Sequence, residues 1–166
     1  MNPRFELLLT PRWIILSFVL AFALTLSPFF GQSTLWMPSW PHLVLLFWAI
    51  YQPRRVGFLA AMSLGLLTDM LGDYYLGLNA LVYLSSVMLC FIWYTRIQKA
   101  SSLEQLLWVM LIYTLAQLSA MTILFLLGQA FMPAGMRLWS ILLVLVIWLP
   151  MVWCLLWPTR RTDFYK

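Results

Sequence analysis

The sequence predicts an all-α integral membrane protein: a single polytopic domain over residues 1–166, built as a bundle of six transmembrane helices with N-terminus and C-terminus cytoplasmic. Three observations predict it. Of the 166 residues 64% are hydrophobic and 9% charged, with a mean hydropathy of +0.91, an apolar share well above the roughly half of a soluble domain. A soluble core of this size has no room for so much apolar surface, whereas lipid solvates it directly on the outside of a bundle. The apolar residues fall in six runs, at 13–30, 36–51, 56–72, 76–95, 106–128 and 138–157, most of them near the roughly 20 residues a spanning helix needs. Finally, six crossings place nine of the 10 Lys and Arg on one side and leave only Arg137 on the other, the asymmetry that marks the cytoplasmic face.

Each run has its own delimiters. The first follows Arg4 and Arg12; it outlasts the apolar stretch of a signal peptide and no small-x-small site closes it, so it is read as a retained helix. "QPRR" joins the second and third, and full crossings are expected over a re-entrant pair because Pro53, Arg54 and Arg55 are costly away from an aqueous interface. The fourth run ends before Arg96 and Lys99. "SSLE" at 101–104 reads as a capping box, Ser101 as N-cap and Glu104 three residues on, opening the fifth. Arg137 precedes the sixth. Trp13, Tyr51, Trp93, Tyr94 and Trp157 then fall at inner ends and Trp36, Trp40, Tyr74, Tyr75 and Trp139 at outer ends, as interfacial belts do.

The inventory of reactive groups is short. Cys90 and Cys154 sit in separate apolar runs without metal or disulfide spacing, and a single histidine, His42, excludes any mechanism needing a His pair. Without a phosphate-binding glycine loop, a metal-ligand cluster or a nucleophile beside a base, neither an enzyme nor a cofactor is expected. The net charge of +5 is explained by topology rather than by nucleic acid. His42, after Pro41, reads as an interfacial residue, and Gln117 and Ser119 as helix-to-helix hydrogen-bonding groups.

The third run carries the most information. Gly57, Ala61, Gly65, Asp69 and Asp73 recur in steps of four, a stripe that either packs the bundle closely or forms a groove for another protein's transmembrane helix. Gly72 and Gly77, flanking the next turn, belong with the same helix-packing or partner surface. Asp73 reads as a solvated turn residue. Asp69, one turn below the outer interface and at the unfavourable end of its own helix dipole, needs a partner. Candidates at its depth are Arg137, His42, Asn79 and the amides after Gly77.

The stretch "PSWPHLVLLFWAIYQPRRVGFLAAMSLGLLTDMLGDYYLGLNAL", residues 38–81, resembles the rod shape-determining protein MreD family of bacteria: Pro38, an apolar run to Trp48, Pro53 before a basic pair, then "GLLTD" and "LG". Bulky Tyr74 and Tyr75 depart from the family's pattern at the outer turn. The resemblance implies a non-enzymatic scaffold of the rod-shape elongation complex, in the bacterial cytoplasmic (inner) membrane and needed for lateral peptidoglycan synthesis. Its implied direct partner is MreC, with MreB, RodZ, RodA and a class B penicillin-binding protein in the wider complex and the lipid bilayer around it. A likeness to substrate-binding subunits of energy-coupling-factor vitamin importers supplies the alternative.

Overall fold

A computed structural model describes residues 11–27, 39–71, 76–126, 128 and 134–160. Among them the chain forms seven helices and no strand: α1 (Pro11–Leu26), α2 (Trp40–Tyr51), α3 (Phe58–Leu71), α4 (Leu78–Ile92), α5 (Tyr94–Lys99), α6 (Ser102–Leu126) and α7 (Ala134–Arg160). By length and composition one described helix, α6, suffices to cross a membrane.

Local chemistry sets the boundaries. Ser39 stands at the N-cap of α2 in extended geometry, followed by Pro41 in the first turn, where proline's fixed φ and missing N–H cost nothing. Beyond Tyr51 the chain turns through Gln52, whose carbonyl accepts from the N–H groups of Arg55 at 3.0 Å and Val56 at 3.1 Å; Gln52 and Val56 are buried, pinning the turn. The fourth apolar run, expected as one helix to residue 95, is instead broken. Trp93 takes φ −101° and ψ 13°, and the short α5 restarts on its carbonyl with Ile97 N–H at 3.0 Å. Ser101 and Glu104 make both bonds of the capping box, Ser101 N–H to Glu104 Oε2 at 3.0 Å and Glu104 N–H to Ser101 Oγ at 3.4 Å.

The centre of the molecule is α2. Every residue from Pro41 to Ile50 is buried, against α1 and α4 chiefly and against α3, α5 and α7 in part. Its tryptophan finds a partner inside: Trp48 Nε1 donates to Ser17 Oγ at 2.8 Å, and Ser17 passes its own hydrogen to the Ile14 carbonyl at 2.7 Å. Phe47 meets Trp48 edge-on at 5.0 Å. Around this axis α3 lies along α4, α4 along α6, and α6 along α7, while Trp13 Nε1 reaches the Leu155 carbonyl to join α1 to α7. The outward faces are apolar too: Leu59 on α3 is 86% exposed, and Ile15, Val19, Met70, Leu107 and Val146 are exposed with it. The bundle is therefore apolar inside and out, and its few polar contacts carry the specificity of assembly.

Candidate functional site

The tightest junction is that of α3 and α4. Ala61, Gly65 and Asp69, four residues apart, are the buried residues of α3. A Cβ added to Gly65 would meet the backbone of α4, colliding with Ala80 Cα and lying 2.6 Å from Ala80 N and 3.0 Å from the Asn79 carbonyl carbon. Only a hydrogen fits there. Gly57 corrects the stripe at its start: it precedes α3, and a Cβ on it would meet nothing within 4 Å. Asp73 and Gly72 lie outside the described residues.

One turn beyond Gly65, Asp69 is 2% exposed. Its Oδ2 accepts from Gly77 N–H at 2.8 Å and Ala80 N–H at 3.3 Å, and its Oδ1 from Asn79 N–H at 2.9 Å. The Asn79 and Ala80 amides are orphans of the first turn of α4, normally satisfied by the side chain of the N-cap residue, and the Gly77 amide is that of the N-cap itself. The N-cap residue here is Gly77, held at φ 95° in the left-handed region, where glycine alone is unstrained. The work of a cap is thus divided: Gly77 gives the backbone its direction, Asp69 supplies the carboxylate from another helix, and Gly65 lets the two helices come close enough for it to reach.

The dipole argument is reversed by this geometry. Asp69 stands at the negative end of α3, but it faces the positive end of α4 at hydrogen-bond distance, and the nearer dipole dominates. Asn79 takes part through its backbone N–H. Arg137 lies in α7 with its side chain outside the described residues.

A seam of polar side chains continues from this lock. Thr68, beside Asp69, places Oγ1 3.2 Å from the hydroxyl of Tyr83, which lies 2.6 Å from Ser39 Oγ. Three helices thereby share one phenol. His42 corrects its expected place at the interface: it is fully buried, stacked between Tyr83 at 4.7 Å and Tyr113 at 5.0 Å. Its Nε2 lies 2.7 Å from Ser86 Oγ, which also bonds the Val82 carbonyl at 2.8 Å, while Nδ1 has no partner. Ser86, Tyr83 and Ala80 recur at three-residue steps, a small-and-polar face that could have signalled a partner for His42. Ser119 is a further correction, since its hydroxyl turns onto Ala116 of its own helix at 2.6 Å.

Chemically the site binds helices to one another. Among the described residues no three His, Cys, Asp or Glu side chains come together to hold a metal, and both Asp69 oxygens are committed to amides.

Residues 8–156 match the family described as rod shape-determining protein MreD. The rod shape-determining protein MreD of Haemophilus influenzae is 32% identical over 133 residues, covering 79% of this chain and 80% of the relative. No solved structure matches the chain. With the family spanning the described helices from α1 almost to the end of α7, this chain belongs to the rod shape-determining protein MreD family.

Proposed function

We propose that the chain is a non-enzymatic, six-crossing scaffold of the rod-shape machinery in the bacterial cytoplasmic membrane, with both ends inside, and that it binds MreC through a surface stiffened by the α3–α4 lock. Family membership supplies the role in cell shape. The observation that carries the rest is the Asp69 cap, three amides held by one carboxylate from a neighbouring helix. Between helices in lipid, apolar burial supplies no driving force, so close backbone approach and hydrogen bonds must fix the relative position of α3 and α4. A pair fixed in this way presents its outward residues, among them Leu59, Met62 and Met70, in one constant arrangement to a transmembrane helix of a partner. MreB, RodZ, RodA and a class B penicillin-binding protein then join through the assembled complex.

The test is recovery of MreC with the tagged full-length chain from mild detergent, alongside cell shape. Wild type should bring down MreC and keep cells rod-shaped. Asp69→Leu should lose both while its level in the membrane stays normal. Undiminished recovery and rod shape in Asp69→Leu would refute the reading. Recovery of an ATPase and its coupling subunit in place of MreC would replace it with the importer alternative.

A further inference from the structure

The end of the bundle opposite Asp69 carries its own cluster. Here α2 ends at Tyr51, α5 packs beside it and α6 begins, joined by the Tyr51 hydroxyl to Gln105 Oε1 at 3.2 Å. The short α5 is two-sided: Ile97 is buried in the core at 1% exposure, whereas Arg96 and Lys99 are exposed. Three residues apart on a helix, they are neighbours on one face. Arg54 and Arg55, in the turn after α2, add charge to the same end and have interactions of their own. Against these four cations stands one described carboxylate, Glu104, which is turned to the Ser101 N–H.

Apolar groups surround the charge. Trp93 and Trp108 meet at 5.2 Å, and Ile92, Leu103 and Leu107 are 60%, 70% and 65% exposed. Exposed aliphatic side chains, a tryptophan pair and cations side by side offer complements to the acyl chains, the glycerol region and the phosphate of one lipid.

We propose that α5 and the start of α6 form a docking surface for anionic glycerophospholipid, with Arg96 and Lys99 on the headgroup phosphate and Ile92, Leu103 and Leu107 along its acyl chains. The inference rests on the reading that these helices cross a bilayer, and it adds a lipid preference that crossing alone does not require. The break at Trp93 serves this surface. An unbroken helix would carry Arg96 and Lys99 onward along the axis of α4; restarting at Tyr94 with Ile97 as anchor brings them beside the first turn of α6.

The experiment uses the full chain in nanodiscs of phosphatidylcholine with a minority of phosphatidylglycerol, extracted into mild detergent, with retained lipid counted by native mass spectrometry. Wild type should retain phosphatidylglycerol preferentially, less so in high salt. A cation near an anionic surface is worth about fivefold in affinity, so Arg96→Gln with Lys99→Gln should lower that enrichment by about 25-fold. Lys99→Arg should preserve it. Unchanged enrichment in the double variant overturns the proposal, and if MreC or another protein is lost at the same time, the cations serve an acidic protein partner instead. Displacement of the lipid by millimolar inorganic phosphate, with no dependence on acyl chains, also overturns it by assigning the cluster to a free anion. Cysteine labelling of the loops reports separately on the crossings, so failure of the topology and failure of lipid selectivity give different results.

Discussion

Gly65→Ala tests the close approach of α3 and α4, because it adds one methyl group there, while the roughly 1 kcal/mol by which a helix favours alanine over glycine acts in the opposite direction. The new Cβ would collide with Ala80 Cα and lie 2.6 Å from Ala80 N, and ordinary contact begins at 3.4 Å, so the helices must part by more than about 0.8 Å at this point. The atoms met are backbone, and no side chain can swing aside. Parting by that amount lengthens the two short Asp69 bonds, now 2.8 and 2.9 Å, beyond the roughly 3.2 Å upper end of ordinary N–H···O geometry, and the third, already 3.3 Å, further still. Overpacking alone costs about 1 to 3 kcal/mol, and a hydrogen bond to a charged group contributes about 1.5 to 3 kcal/mol. A total loss of about 3 to 5 kcal/mol follows if one such bond fails and the others relax. Thermal unfolding of the purified full chain in detergent, followed by helical circular dichroism, should show a midpoint lower by about 10 °C on the scaling of soluble proteins. Gly57→Ala is the matched control and should be silent, within about 0.5 kcal/mol. Equal midpoints for the two variants would refute the claim that backbone contact at Gly65 sets the spacing.

Asp69→Asn should also destabilise, by about 1 to 3 kcal/mol, because both carboxylate oxygens accept and an amide turns one of them into a donor facing an N–H; a wild-type unfolding midpoint would show that one oxygen suffices. Ser86→Ala should cost a similar amount by leaving His42 without a hydrogen bond, whereas His42→Phe keeps the stack between Tyr83 and Tyr113 and should be close to neutral; the opposite ranking in the same assay would mean that the imidazole has a role beyond packing. With Cys90 and Cys154 replaced by serine, single cysteines at Arg55 and Ser101 should react with membrane-impermeant reagent only after the cells are opened, and one at Ser33 in intact cells. Labelling of Arg55→Cys and Ser33→Cys from the same side would end the six-crossing topology.

What the sequence revealed of this site follows from what a helix makes periodic. Ala61, Gly65 and Asp69 could be placed on one face because 3.6 residues per turn brings every fourth residue round, and the need of Asp69 for a partner followed from the cost of a buried carboxylate. The choice among its candidate partners did not, because backbone amides look alike in any sequence and only the path of the turn brings three of them to one side chain. Spacing groups Gly57 with the stripe, and its carbonyl does accept from Ala61 N–H at 3.0 Å, but it stands just before α3 where no neighbouring helix comes within 4 Å of an added Cβ. His42 was assigned to the interface because one polar residue behind a proline resembles a helix start at a surface. It is indeed at a helix start, yet α2 is enclosed by its neighbours. The break at Trp93 lacks both Pro and Gly, the usual signs, and arises where the chain must redirect Ile97 into the core.

The enclosure of α2 sets a condition on how the protein is made. A helix inserted into a bilayer normally rests against lipid until its neighbours arrive, but α2 brings His42, whose hydrogen-bonding partner Ser86 follows 44 residues later. At about 5 to 20 residues per second, the ribosome reaches that partner roughly 2 to 9 s afterwards. On the proposed six-crossing topology, α2 would reach its enclosed position only once α4 has followed it into the membrane. On that topology a translational pause before Ser86 should leave His42 without its partner and the nascent chain more open to membrane proteolysis than a pause after α6.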